Sequence, residues 1–254
     1  MQDTMLPHHW NPALIVLSFL IASVTSFLAL ELARRFRQDG SVTAPLALGG
    51  VLGYGIWAMH FIGMIAFELS TNVTYGLPLT LISGLSAVAF LIGASFYMVR
   101  GTPTLPRILV SGVIAGIGIC LMHYLGMAAM QANAVTSYLP VPFALSVLIA
   151  VGAASVAFFL FSRVMTATYS LVQRLAIQTG AALVMGLAIA GMHYTGMAAV
   201  RFNMSTEVVN LVSGTDPQNL VYMVVGATIL VFVGTYIAIL ADQLSTKPSR
   251  MAGD

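Results

Sequence analysis

Met59-His60-Phe61-Ile62-Gly63-Met64-Ile65-Ala66, Met122-His123-Tyr124-Leu125-Gly126-Met127-Ala128-Ala129 and Met192-His193-Tyr194-Thr195-Gly196-Met197-Ala198-Ala199 repeat one pattern, Met-His-aromatic-x-Gly-Met-x-Ala. Each copy lies inside a long apolar run. Histidine is costly in hydrocarbon, so three histidines in one recurring setting mark a candidate site. Imidazole nitrogen and thioether sulfur are soft donors that together suit copper, above all Cu(I). The spacing also counts helices. His60 and His123 are 63 positions apart, His123 and His193 are 70, and two membrane-spanning helices of about 20 residues with their connections fill either interval.

Composition points the same way. The chain has 254 residues, 59% hydrophobic and only 7% charged, where a soluble domain carries roughly 25% charged residues. The apolar runs predict an all-α membrane protein with helices at Pro12–Leu32, Leu46–Leu69, Leu77–Val99, Arg107–Gln131, Val141–Arg163, Leu175–Val200 and Leu220–Leu240. The alternating segments of a membrane β-barrel do not occur. Gly40-Ser41, Thr43 to Pro45, Thr102-Pro103, Pro106, Pro140 to Pro142 and Gly214 to Pro217 break the runs. Residues 1–11 carry Asp3 and no Lys or Arg, unlike the basic start of a secretory signal, so the first run is read as an uncleaved span. No basic cluster or aromatic platform suits nucleic acid. Cys120 is the one cysteine; it excludes an internal disulfide and a paired-thiolate zinc site, and reads as a small apolar side chain.

Basic residues set the orientation. Arg34, Arg35, Arg37, Arg100, Arg107, Arg163, Arg174, Lys247 and Arg250 fall on alternate connections or the C-terminal tail, with Arg201 alone on the other side. The positive-inside rule then places the N-terminal segment 1–11 outside and the tail 242–254 in the cytoplasm, flanking a sensor domain at 12–241. Trp10, Tyr75, Tyr138 and Tyr222 fall at the outer interface, where an aromatic belt is expected. The motif sits on the second helix of each of three helix pairs. The pairs are parallel repeats around an axis near the membrane normal, with the seventh helix left over. A threefold arrangement would gather the second, fourth and sixth helices.

Helical phase selects among the motif residues. At about 100° per residue, position +4 lies about 40° from the histidine, so Met64, Met127 and Met197 share its face. Met59, Met122 and Met192 point about 100° away and are weaker ligand candidates. Gly53, Gly116 and Gly186 precede the histidines by seven positions and lie on nearly the same stripe, with Gly63, Gly126 and Gly196 beside it. Small residues there allow close helix approach, so the stripe faces the bundle interior. The bland alternative is that each histidine hydrogen-bonds a neighbouring helix and each methionine packs. Phe61, Tyr124 and Tyr194 point off the stripe, as packing or as support for the ligands. The outward helices are predicted to end eight to ten residues past the histidines, near Glu68, Gln131 and Arg201, which puts the imidazoles about 12–15 Å deep. Glu68 and Gln131 read as interface residues, Glu31 as a snorkelling side chain, and His8 and His9 as a solvated pair in a mobile tail. Asn72-Val73-Thr74 and Asn203-Met204-Ser205 match a glycosylation acceptor pattern that chance also produces.

The repeats resemble the MHYT domain, a bacterial integral-membrane sensor. The third copy spells the name, Met192-His193-Tyr194-Thr195, while the first has Phe61-Ile62 and the second Leu125 in place of the later letters. The resemblance covers Trp10 to Ala241. It implies a seven-helix sensor of the inner (cytoplasmic) membrane that binds copper through the motif His and Met residues. It further implies sensing of a diatomic gas such as O2, CO or NO, and cytoplasmic output through domains that make and degrade cyclic di-GMP. This chain ends at Asp254 without such a domain, so it is expected not to be an enzyme and to signal through an output domain or partner. Membrane lipid surrounds it, and a homodimer is a further assembly to test. Sensing of copper or of redox state, a haem protein, and a copper or proton transporter stand as alternatives.

Overall fold

The computed structural model describes residues 5–36, 43–166, 170–204 and 214–245. Among these residues seven helices form: α1 (Pro12–Phe36), α2 (Thr43–Ile65), α3 (Leu77–Val99), α4 (Leu105–Ala129), α5 (Pro140–Thr166), α6 (Leu171–Ala198) and α7 (Pro217–Ser245). All seven are long and apolar enough to cross a membrane, as hydrocarbon demands of a backbone that must satisfy its own hydrogen bonds. Pro12, Pro78, Pro106, Pro140 and Pro217 stand in the first turn of their helices, where the missing N–H costs nothing. α6 starts instead with a capping box, in which the Ser170 side chain accepts from the Gln173 N–H and the Gln173 side chain accepts from the Ser170 N–H.

Among the described residues six short strands join the helices at the outer side. They are β1 (His8–Trp10), β2 (Phe67–Leu69), β3 (Val73–Tyr75), β4 (Met130–Ala132), β5 (Ala134–Tyr138) and β6 (Val200–Met204). β1 pairs with β2, β3 with β4 and β5 with β6, all antiparallel. Each helix pair is therefore a β-α-α-β unit whose outer ends are stitched together. Around the bundle α1, α2, α3, α4, α5 and α6 are neighbours in that order, and α6 closes on α1. Inside this ring α2 touches both α4 and α6, while α7 lies outside against α2 and α1.

The strands correct the expected outer boundaries. α2, α4 and α6 stop at Ile65, Ala129 and Ala198, and Phe67–Leu69, Met130–Ala132 and Val200–Met204 are strand. The strand pairing satisfies backbone groups that one more turn of helix would otherwise have held. At the inner side α1, α5, α6 and α7 run several residues past the expected ends, and the first residues of the proposed tail are the last of α7. The histidines consequently lie five or six residues, about 8 Å, below the helix ends, under the strand layer.

His8 and His9 are strand residues, with His9 Nε2 2.7 Å from a Glu68 carboxylate oxygen. Asn11 donates a second contact to Glu68, and Leu6 just before is buried. Tyr75 is 1% exposed, so it leaves the interfacial belt that Trp10, Tyr138 and Tyr222 still fit. Burial pushes its phenol pKa above the ordinary value. Glu31 pairs with Arg34 at 2.6 Å. Arg37, Gly40-Ser41, Ser205, Lys247 and Arg250 lie outside the described residues, as do residues 1–4 and 246–254.

The glycines seven residues before each histidine make close helix contacts. A β-carbon on Gly53 would meet Val88 Cα of α3 at 2.7 Å, and one on Gly116 would meet Val151 Cα of α5 at 2.7 Å. At Gly186 it would overlap the Ser23 side chain of α1. The three contacts are one contact repeated around the ring.

Candidate metal centre

α2, α4 and α6 bring His60, His123 and His193 to one point. All three are buried, at 1%, 0% and 1% exposure, and one ring nitrogen from each lies within 4.8 Å of the others. His60 Nδ1 is 3.1 Å from His193 Nδ1 and 3.1 Å from His123 Nδ1. The rings meet edge to face, with centroids 4.9, 5.1 and 5.3 Å apart.

The Nε2 atoms turn outward from that point in a cyclic order. A β-carbon on Gly126 would collide with His60 Nε2, one on Gly196 with His123 Nε2, and one on Gly63 with His193 Nε2. Each motif glycine is thus the socket for the histidine of another repeat. Among the described residues none of the three Nε2 atoms makes a hydrogen bond of good geometry, although the Gly63 backbone lies close enough to act on the His193 ring, and no methionine sulfur hydrogen-bonds a ring nitrogen.

Hydrogen bonding alone leaves this cluster unsatisfied. An imidazole nitrogen has one in-plane position, either an N–H or a lone pair. His60 Nδ1 faces two partners at equal distance and can serve one of them well. A buried polar atom without a partner costs about 1–3 kcal/mol. A cation among the three Nδ1 atoms would engage all of them at once; it would leave each Nε2 as an N–H with no hydrogen-bond partner among the described residues. Imidazole binds such ions at about 2.0 Å, which holds the nitrogens roughly 3.3–3.5 Å apart. Both distances to His60 lie within a few tenths of an ångström of that separation, and all three ligand nitrogens lie within 4.8 Å of one another, so the donor set suits a metal ion once the His123 and His193 rings draw together.

The six motif methionines are all in the buried core. Met64, Met127 and Met197 follow the histidines by one turn on the outer side. Met192 lines an apolar cavity on the inner side, as its different helical phase allows.

Aromatic residues wall the cluster in three matching arms. His193, Tyr194 and Trp10 meet edge to face at 4.8 and 5.5 Å. His123, Tyr124 and Tyr138 do so at 4.8 and 5.7 Å, and His60, Phe61 and Tyr75 at 4.9 and 6.0 Å. Two hydroxyls tie adjacent helices, Tyr194 to Ser18 at 2.8 Å and Tyr124 to Ser146 at 2.7 Å. Phe61 has no hydroxyl, and Trp57 Nε1 reaches the corresponding Ser83 instead, at 3.2 Å. Ser18, Ser83 and Ser146 each stand six residues into their helix, a spacing visible in the sequence once the helix starts are known. The socket role of the motif glycines was not readable, because it depends on which repeat faces which.

Comparison with known proteins supplies the relationship. The model described as a bacterial signalling protein N-terminal repeat (MHYT) matches residues 53–111, 116–173 and 186–252. Its frame starts on the motif helix and runs into the next helix, so it couples α6 with α7 in sequence. In space α1 takes the place beside α6. The chain is 35% identical over 252 residues to the bifunctional diguanylate cyclase/cyclic di-GMP phosphodiesterase MucR of Pseudomonas aeruginosa, covering 98% of this chain and 36% of that protein. It is 38% identical over 199 residues to the cyclic di-GMP phosphodiesterase NbdA of the same species, covering 75% of this chain and 24% of that protein. To the signaling protein YkoW of Bacillus subtilis it is 34% identical over 199 residues, covering 76% and 24%. The chain spans about a third or less of the length of these curated relatives. No solved structure matches.

Proposed function

We propose that this chain, which belongs to the MHYT family of bacterial signalling proteins, senses through a copper ion held among His60, His123 and His193. The family is one of membrane sensors, and the seven apolar helices make this chain a multi-pass protein of the inner membrane. One observation carries the metal reading: three buried Nδ1 atoms converge where hydrogen bonds can satisfy only some of them. Copper is preferred to zinc because Met64, Met127 and Met197 put soft sulfur one turn away on the same helix faces. When bound, copper supplies a centre that can change oxidation state or take a diatomic ligand such as O2, CO or NO.

The protein's own residues do the rest. The glycine sockets fix each ring, and the strand layer covers the cluster on the side facing outward. α2 carries His60 and also packs on α7, where the Tyr54 hydroxyl donates to the Val224 carbonyl at 3.2 Å and lies 3.2 Å from Thr228 Oγ1. A displacement of α2 thus has a direct route to α7 and the cytoplasmic side. The relatives' names support cyclic di-GMP turnover as the output, through a linked domain or a partner.

A haem reading fits poorly, since rings whose nitrogens lie 3.1 Å apart leave no room for a macrocycle between them. Transport fits poorly as well, because the space on the inner side of the cluster is apolar. The test is metal analysis of the purified chain beside variants lacking His60, His123 and His193. About one copper per chain, lost in the triple variant, is expected. Equal and substoichiometric copper in both would sink the reading.

A further inference from the structure

A partly enclosed cavity of about 50 Å³ lies on the inner side of the histidine cluster. Helices α1 to α6 all contribute to its wall. Ile56, Ile119 and Ile189 line it, and each precedes a motif histidine by four residues, one helical turn. The cavity therefore begins directly beneath the three imidazoles. Farther in, Ala115 and Met185 line it, with a row of α5 alanines that includes Ala154.

Among the described residues that line it, Ser95 alone carries a polar hydroxyl, and that hydroxyl has no partner. A water needs two to four polar partners to be held in a protein interior. One serine does not supply them, so the space is large enough for water but chemically wrong for it. Apolar cavities of this kind stay dry and take apolar guests; one of about 150 Å³ accommodates benzene or xenon. A third of that volume suits a guest of one or two heavy atoms. An ion has no counter-charge or ligand here and is excluded.

We infer that this cavity is a binding site for a small uncharged apolar molecule, of the size and chemistry of a dissolved diatomic gas, drawn from the surrounding hydrocarbon. The inference rests on the sensor reading above for its purpose, and on the cavity alone for its existence. The strand layer covers the cluster on its outer side, and apolar molecules gather beneath the isoleucines that line the inner side.

Xenon is the probe, because its anomalous scattering locates it directly in pressurised crystals of the purified chain. A xenon peak among Ile119, Ala154 and Met185 is expected in the native protein. Ala154→Leu fills the space and is expected to lower that peak at least fivefold, with the copper-to-protein ratio unchanged. Ile189→Ala enlarges the space and guards against a folding failure of the first variant; its peak is expected to match or exceed the native one. Absence of xenon from both the native chain and Ile189→Ala, or an undiminished peak in folded Ala154→Leu, overturns the inference. Loss of copper binding with xenon still in place would instead remove the sensor reading and leave the cavity site standing.

Discussion

His60 and Gly126 are locked together: the Nε2 edge of the imidazole occupies the place a β-carbon would take on that glycine. The same relation joins His123 to Gly196 and His193 to Gly63. Any side chain at these positions must push an imidazole off the point where the Nδ1 atoms meet. Groups that only orient metal-binding histidines commonly change affinity by about 10–100-fold. Gly126→Ala should therefore weaken copper binding by about that factor, as read by competition with a Cu(I) chelator. Gly63→Ala and Gly196→Ala should do the same. Affinities within about twofold of the native value would mean that the sockets do not set the rings.

The glycines seven residues earlier serve packing. Val151 Cα stands 2.7 Å from the β-carbon position of Gly116, and backbone cannot swing aside as a flexible side-chain end can. Gly116→Val should part α4 from α5 and destabilise the fold by about 1–3 kcal/mol, the usual range for overpacking. Gly152→Ala is the control, since nothing lies within 4 Å of its β-carbon position; it should leave stability level or slightly raised. Thermal unfolding in detergent compares the two, and equal midpoints would contradict the close-approach argument.

Much of this arrangement was legible because membranes restrict the options. The 63- and 70-residue spacings, the apolar runs and the distribution of arginine fixed seven spans, parallel repeats and the gathering of His60, His123 and His193. The outer strands escaped notice, since three-residue pieces such as Phe67–Leu69 continue an apolar helix without a break in composition. Tyr75 looked interfacial because sequence places it at a helix end; only the pairing of β3 with β4 turns it inward onto Phe61. The glycine sockets were hidden for a different reason. Periodicity gives the face of one helix, whereas the contact between Gly126 and His60 depends on the order of helices around the ring.

The tyrosine hydroxyls allow a graded test of the walls around the cluster. Tyr194→Phe removes the contact with Ser18, and Tyr124→Phe the contact with Ser146. Hydrogen bonds between membrane helices average about 0.6 kcal/mol, so each variant should lower stability by roughly that amount. Phe61→Tyr should recover little, because Ser83 already accepts from Trp57 and donates to the Thr80 carbonyl. Double-mutant cycles with the serines changed to alanine isolate each pair, and zero coupling at Ser18–Tyr194 would assign that tyrosine to packing alone.

Orientation decides whether the cluster faces the outside medium or the cytoplasm, and it can be read chemically. Asn72 lies exposed between β2 and β3, beside the strand layer, while Thr102 lies exposed between α3 and α4 at the opposite end of the bundle. Arg100 and Arg107 flank Thr102, and the positive-inside rule keeps such a connection in the cytoplasm. Cys120, the native thiol, is removed first by Cys120→Ala. In intact cells a membrane-impermeant maleimide should then label Asn72→Cys, and should label Thr102→Cys only after permeabilisation. Labelling in the reverse order would turn the molecule over. The strand layer and His9–Glu68 would then face the cytoplasm, and copper would have to reach the cluster from the cell interior.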